Sequence, residues 1–370
     1  MSSIALYMMA QTCNDDVLLD IMGRLAGAHL ASAALVCRRW RPTAQTRLYR
    51  CISLDTNSVS SHQLSSTLSA DAGLRSLVRD LVIFHRAGSN SDKVLLRWLE
   101  LLPEGSLLSL RIEQMFIPKP DDLSLLRYPS VRSVPSVSVW PAANFLSVER
   151  LDAVLQLPSL ENLSLRILPY LLPRQLTVTC IPKLRRLSIE TTEYFHTITE
   201  ILGALDPASF VRFDLITNAL SCAAVETLCH DLQPLLPRLK HFSMHPRQSK
   251  PDEPFVDDLI LVMPSLQTLA CGWGACSAKV LGRLPPAFLS LTLLASAQAS
   301  FPDAQFAEAL KIAQVPTGMK MLTIVDTGFQ WSSACCAERE SLANTCASRG
   351  LVFEVVDKGG CGPLFFGISE

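Results

Sequence analysis

The sequence predicts an α/β fold in which a short helical domain is followed by a long solenoid of strand–helix repeats. One phrase recurs along much of the 370 residues: a proline, a spacer, then leucine, two variable residues, an aliphatic, one variable residue and an aliphatic, as in residues 158–165 and 182–189. Helical patterns separate these phrases, and residues 14–50 lack the phrase but have apolar residues at helical spacing. Together these observations predict a repeat protein with a distinct N-terminal domain.

The spacing of the phrases fits a solenoid. The opening prolines, clear or degraded, recur about every 27 residues, within the range of strand–helix repeats. They are Pro103, Pro129, Pro158, Pro182, Pro207, Pro237, Pro264, Pro286 and Pro316. Since no unit can cover its own apolar face, we expect the units to stack, with a parallel sheet on the concave side and helices outside.

Helical patterns between the phrases lie at residues 92–99, 198–205, 223–232, 278–284, 304–312 and 334–347. A weak helical pattern also spans residues 58–69. The valine- and serine-rich residues 128–140 predict a distorted strand. Each unit is therefore expected to run strand, turn, helix, turn.

The N-terminal stretch, residues 14–50, predicts three short helices. Asn14 is suited to cap the first helix, and Asp15 and Asp16 place negative charge in its first turn. Pro42 fits the first turn of a third helix over residues 42–49. So small a bundle cannot hide all its apolar side chains, which predicts either a partner surface or packing against the array.

Two motifs in this stretch resemble the F-box: Asp15-Asp16-Val17-Leu18-Leu19-Asp20-Ile21 and Leu35-Val36-Cys37-Arg38-Arg39-Trp40-Arg41. The arrangement is most similar to F-box proteins of filamentous fungi and mushrooms. The resemblance implies binding to the Skp adaptor of cullin-based ubiquitin ligases. The contact residues it implies are Val17, Leu18, Ile21, Leu25, Leu30, Leu35, Val36 and Trp40. Cys13-Asn14 stands where the family usually has Leu-Pro, which removes one anchor.

The array looks like the leucine-rich-repeat family. The asparagine that this family places after each strand is missing almost everywhere, and residues 213–215 followed by Asn218 are the best fit. Without a ladder of asparagines, the turns must satisfy their backbone groups in other ways. We therefore expect irregular curvature and unequal repeats.

The variable positions of four neighbouring phrases predict a polar face suited to binding a protein or peptide. Because alternate strand residues point to one side, that side would carry Asn162, Ser164, Arg166, Arg186, Ser188, Glu190, Arg212, Asp214, His241, Ser243 and His245. Two of these histidines alternate on one strand and could hold a metal. Histidines on a solvated binding face explain them more simply, so no metal and no cofactor is predicted.

Composition and motifs argue against several classes of protein, namely nucleic-acid-binding proteins, enzymes and membrane-spanning proteins. The net charge of −1, without any long run of Lys or Arg, argues against nucleic-acid binding. No phosphate-binding, nucleophile-elbow or metalloprotease motif is present, so no enzymatic activity is predicted. The twelve cysteines are scattered without a C-x-x-C motif, and no apolar stretch is long enough to span a membrane. The expected location is the cytoplasm or nucleus.

We therefore expect a disordered N-terminus (1–13), an F-box-like three-helix domain (14–50), a connecting segment (51–73), a leucine-rich-repeat-like solenoid (74–356) and a C-terminal tail (357–370) that covers the last repeat. Within the connecting segment, Ile52 and Leu54 could form a first strand. The expected function is that of the substrate receptor of an SCF-type (Skp–cullin–F-box) ubiquitin ligase. The alternative is an interaction scaffold, unconnected with ubiquitination, whose N-terminal helices cap the solenoid.

Overall fold

The structure is a computed structural model that describes residues 14–85, 95–114, 125–141, 148–167, 176–193, 196–218, 220–246, 254–272, 274–294, 303–326 and 333–357. The expectations for residues 1–13 and for the tail after Asp357 lie outside these ranges, as does the start of the predicted helix at 92–94. The chain divides into two compact units, residues 1–146 with 153–160, and residues 147–152 with 161–370.

The described part of the first unit begins with the helices α1 (Asp15–Gly23), α2 (Gly27–Ala33) and α3 (Trp40–Arg50). The Asn14 side chain starts α1 by accepting a hydrogen bond from the Asp16 amide at 3.3 Å. Pro42 lies in the first turn of α3, where its missing N–H costs no intrahelical hydrogen bond. The three helices share a small core of Leu18, Met22, Leu30, Ala33 and Ala44.

The sheet starts inside the segment expected to be a connector. Strand β1 (Cys51–Asp55) follows α3 directly and pairs in parallel with β2 (Asp80–His85). Ile52 and Leu54 are its buried residues. The connection from β1 to β2 contains the helices α4 (Val59–Ala70) and α5 (Ala72–Arg75).

The first unit continues with two more parallel strands. They are β3 (Ser109–Gln114) and β4 (Ser136–Pro141), preceded by a 3₁₀ helix (Arg97–Leu101) and by α6 (Pro129–Arg132) respectively. The predicted distorted strand at residues 128–140 is wrong, because residues 129–132 form α6 and β4 pairs regularly with β3 over all six of its residues. Val137 and Val139 point into the core and the serines point out, so the segment keeps the two-residue period of an ordinary strand.

Over the residues that the structure describes, the second unit repeats the same plan with eight parallel strands in chain order. The strands are β5 (Asn162–Ile167), β6 (Arg186–Thr191), β7 (Arg212–Thr217), β8 (His241–Pro246), β9 (Thr268–Gly272), β10 (Ser290–Leu294), β11 (Met321–Asp326) and β12 (Val352–Asp357). Asp357 therefore belongs to the last strand rather than to the tail.

Helices precede or connect these strands. In the described part of the chain, the α-helices are α7 (Val148–Leu155), α8 (His196–Gly203), α9 (Cys222–Leu232), α10 (Val256–Leu259), α11 (Asp303–Ile312) and α12 (Ser333–Ser348), and the 3₁₀ helices are Leu236–Arg238, Ile260–Val262 and Ala278–Gly282. The predicted fold class, an α/β repeat array with a parallel sheet, is confirmed. No helix in the described ranges is long and apolar enough to cross a membrane.

Main-chain carbonyls tie successive repeats together at the starts of the strands. The Glu161 carbonyl accepts hydrogen bonds from the amides of both Arg185 and Arg186, at 2.8 and 3.0 Å. The Arg185 carbonyl in turn accepts from Val211 and Arg212, at 2.9 and 3.0 Å. Each repeat thus satisfies the polar groups at the start of the next strand without a side-chain ladder.

Side chains supply further ties between repeats. The buried carboxylate of Asp257 accepts hydrogen bonds from the amide and the hydroxyl of Ser277, and Asp152 does the same for Thr177. The repeats are unequal, with 22 residues between the starts of β9 and β10 and 31 between those of β10 and β11. Local ties of this kind do not require a fixed repeat length.

Candidate functional site

The N-terminal helices expose a set of aliphatic side chains. We call four of them the N-terminal apolar surface: Val17, Ile21, Leu35 and Val36. Leu35 is 87% exposed, and Val17 and Val36 are each nearly half exposed. So many exposed aliphatics on a bundle of this size are characteristic of a surface that another protein covers.

Helix geometry explains why α1 has both buried and exposed aliphatics. Leu18 and Met22 are four residues apart and point into the core. Val17 and Ile21 repeat the same spacing one position earlier, so they lie on the flank of the buried stripe and remain exposed. One stripe of the motif, Leu18 and Met22, therefore packs in the domain core, and the other, Val17 and Ile21, remains accessible to a partner.

An ion pair joins the two motifs. The Arg39 guanidinium lies 2.9 Å from the Asp15 carboxylate, and both side chains are solvent-accessible. A solvent-exposed pair of this kind contributes little to stability. It does connect the segment that carries Leu35 and Val36 to the first turn of α1, close to Val17.

The eight residues implied as adaptor contacts fall into three groups. Val17, Ile21, Leu35 and Val36 are exposed, whereas Leu18 and Leu30 lie in the domain core. The other two, Leu25 and Trp40, are partly buried against that core. Leu18 and Leu30 are thus held inside the domain and do not present an accessible surface.

One exposed residue was not among the eight. Leu19 sits in the middle of the first motif and is exposed on α1. It is two residues from both Val17 and Ile21, so helical spacing places it on a different flank. The sequence could have indicated its exposure, because Leu19 is an aliphatic residue that lies outside the i, i+3, i+4 stripe of α1.

Comparison with known families assigns this region. Residues 15–55 match the family described as F-box-like. Residues 15–55 form an F-box-like domain. The match includes the three helices and extends through β1, which agrees with the direct passage from α3 into the first strand.

Two other comparisons add little to the F-box-like assignment. No curated protein matches the chain. A crystal structure of a Bacteroides fragilis protein, a structural-genomics target, shares 13% identity and a TM-score of 0.39, covering 70% of this chain and 68% of the other. A likeness this distant carries no argument about fold or function.

A second candidate surface lies on the outward face of strands β5–β8. The pairing register puts Asn162, Arg186, Arg212 and His241 in one row across four neighbouring strands. Two residues further along each strand a second row follows, with members Ser164, Ser188, Asp214 and Ser243. The structure thus brings these predicted residues together on one side of the sheet.

The third row of this face is less polar than predicted. Arg166 lies 3.6 Å from Glu190 on the neighbouring strand, but the next position is the buried Ile216. His245 is almost fully buried. With Ser243, also buried, it lies on the predicted side but does not present an accessible surface.

Charged groups in the first two rows influence one another. The Arg212 guanidinium lies 2.7 Å from the Asp214 carboxylate. Burial raises the pKa of Asp214, although Arg212 and Arg186 oppose that shift. Burial also lowers the pKa of His241, and the positive charges of Arg212, Arg186 and Lys240 lower it further. Both effects favour the neutral form of the His241 ring.

The geometry does not favour a metal site at the two histidines. His241 and His245 are four residues apart on one strand, about 13 Å at the rise of a β-strand. The His241 Nδ1 atom instead lies 2.8 Å from the Thr268 hydroxyl. Among the described residues, no cluster of three potential ligands could hold a metal ion.

The first unit has its own partly exposed group, which sequence reasoning missed. The Arg111 guanidinium lies 4.1 Å from the centre of the Trp140 ring and 2.6 Å from the Glu113 carboxylate. Arginine and tryptophan are the residue types most often found at the centre of interfaces. Treating residues 136–140 as a regular strand would have placed Trp140 on the outward side.

Proposed function

We propose that this protein is the substrate receptor of an SCF-type ubiquitin ligase. Its F-box-like domain would bind a Skp-type adaptor, and through it a cullin, while the repeat array binds a target protein. The observation that carries the proposal is the N-terminal apolar surface on a domain that matches the F-box-like family. The chain itself would carry out no chemical step.

The energetics favour docking at this surface. Covering a leucine side chain with a partner stabilises a complex by about 1.5–3 kcal/mol. Leu35 is 87% exposed in the isolated chain, so nearly all of that contribution is available to an adaptor. Val17, Ile21 and Val36 add further area on the same domain, in place of the Leu-Pro anchor that the sequence lacks.

The array would act by proximity. Holding a target beside a ubiquitin-loaded conjugating enzyme makes transfer to a target lysine effectively intramolecular. The outward face of β5–β8 supports this role with a mixture of arginines, carboxylates and hydroxyls, the composition of a protein-binding surface.

Affinity purification tests the proposal. The full chain, expressed in a eukaryotic cell, should capture a Skp adaptor and a cullin. Leu35→Asp with Val36→Asp should abolish both, because the changes place charge on the proposed contact. Ile312→Asp, at a residue 83% exposed in the second unit, is the matched control and should retain both. Equal capture by all three proteins would exclude the adaptor contact proposed here.

A specific observation favours a second function, that of an interaction scaffold capped by its N-terminal helices. Helix α3 passes into β1 without a linker, and the Arg50 carbonyl accepts a hydrogen bond from the Arg79 amide at 2.9 Å. The helices are therefore joined to the first strands of the sheet. If residues 1–50 act as a cap, deleting them should make the remaining chain aggregate. This result does not depend on whether the full chain captures an adaptor.

A further inference from the structure

Positively charged residues gather at the amino-terminal ends of three neighbouring strands in the second unit. Arg186 and Arg212 are neighbours in the register of β6 and β7, and His241 continues the row on β8. Arg185 and Lys240 stand one residue before β6 and β8, and both are exposed. We call Arg185, Arg186, Arg212 and Lys240 the cationic edge.

The charges of the cationic edge are close enough to act on one another, as well as being neighbours in the pairing register. Arg212, Arg186 and Lys240 all lie close enough to His241 to lower its pKa. Neighbouring strands are about 4.8 Å apart, so three adjacent strands bring these charges within roughly one Debye length at physiological salt. The grouping therefore acts as one positive region.

The cationic edge is confined to three strands. On β9 and β10 the corresponding positions in the first row are Thr268 and Ser290, both uncharged. On β5 the position before the strand is Glu161, so the edge has a negative boundary. In a chain with a net charge of −1, such local concentration of positive charge marks a surface of distinct chemistry.

Asp214 holds part of the cationic edge in place. It is the carboxylate in direct contact with Arg212, and both side chains are more than four-fifths buried. The pair fixes the Arg212 guanidinium while Arg185, Arg186 and Lys240 remain exposed around it. Anchored and exposed cations side by side suit the recognition of carboxylates by charge-assisted hydrogen bonds.

We propose that the cationic edge binds a carboxylate-rich segment of the target protein. This rests on the proposed function, and it names the chemistry of the segment that the array recognises. An extended acidic peptide presents carboxylates on one side every second residue, about 6.8 Å apart. Long, flexible arginine and lysine side chains on strands 4.8 Å apart can reach such a series.

Fluorescence anisotropy with the purified full chain tests the proposal. The probe is a short labelled peptide in which glutamate alternates with serine, compared with a peptide of glutamine and serine. The glutamate peptide should bind at least about tenfold more tightly, and its affinity should fall as NaCl rises from about 50 to about 300 mM. Equal affinity for the two peptides would overturn the proposal.

Matched variants locate the binding site. Arg186→Gln with Lys240→Gln should weaken binding of the glutamate peptide by about tenfold. Lys279→Gln with Lys320→Gln removes the same charge from exposed positions of the same unit, and Lys320 directly precedes β11 as Lys240 directly precedes β8. This control should change affinity less than about twofold, and an equal loss would refute the assignment.

Two outcomes separate this proposal from others. Tighter binding of a single-stranded oligonucleotide than of the glutamate peptide would refute a peptide site. The anisotropy assay contains no adaptor, so a lack of peptide binding would not bear on the proposed binding of Skp and cullin. Conversely, loss of adaptor capture in the Leu35 and Val36 variant leaves peptide binding unaffected. Thermal melts of both double variants should match the unmodified chain.

Discussion

Truncation of Leu35 is the sharpest test of the N-terminal apolar surface. Leu35 is 87% exposed, so Leu35→Ala removes little packing from the isolated chain. If an adaptor covers this side chain, the truncation loses about 2 kcal/mol of buried apolar area. That loss corresponds to an increase in Kd of roughly 30-fold. The free energy of unfolding should change by less than about 0.5 kcal/mol, as for other surface substitutions.

Isothermal titration calorimetry with a purified Skp adaptor measures the change in Kd directly. Ile312→Ala is the matched control, since Ile312 is 83% exposed and lies in the second unit. It should leave Kd unchanged within error. A Leu35→Ala variant that binds the adaptor as tightly as the unmodified chain would refute the reasoning that exposure at Leu35 reflects an adaptor contact.

Three further predictions concern the core, the sheet face and the repeat ties. Leu18→Ala should lower the free energy of unfolding of the N-terminal domain by about 2–5 kcal/mol in urea titrations, because Leu18 is only 1% exposed; an unchanged transition would contradict its place in the core. Arg186→Gln should raise the pKa of His241 in an NMR titration, since it removes a positive charge that opposes protonation; a fall would contradict the charge arrangement. Asp257→Ala should destabilise the second unit by about 1–3 kcal/mol, measured by thermal unfolding, because the Ser277 amide and hydroxyl lose their acceptor.

Sequence pattern predicted the elements of the N-terminal domain but not the direction of its side chains. The spacing of Leu18 and Met22 predicts a helix with an apolar stripe, and the structure has that helix. The spacing does not tell whether the stripe faces the domain's own core or a partner. Only the packing of three helices decides this, and it buries Leu18 while leaving Val17 exposed.

On the sheet, the two-residue period predicted the faces but not the degree of burial. His245 lies on the predicted side, yet it is buried, and its ring lies close against Gly272 on the next strand, where any larger residue would clash. A Cβ atom at Gly272 would stand 2.7 Å from the His245 ring. Accessibility therefore depends on a residue 27 positions away, which no local pattern reports.

Two exposed members of the cationic edge were missed for a related reason. Arg185 and Lys240 precede their strands, where alternation gives no rule for direction. Their exposure follows from the main-chain hydrogen bonds that turn the chain into each strand, such as that from the Lys240 amide to the Val211 carbonyl at 2.9 Å. These hydrogen bonds join neighbouring repeats, so the direction of Arg185 and Lys240 depends on how the repeats stack and cannot be read from the local sequence.

The central claim is that the F-box-like domain binds an adaptor through side chains that its own core leaves exposed. Light scattering of the purified full chain mixed with a purified Skp adaptor tests it most directly. We predict a one-to-one complex that disappears with Leu35→Asp and Val36→Asp and persists with Ile312→Asp. Absence of a complex with the unmodified chain, or an equally stable complex with the double variant, would contradict the claim.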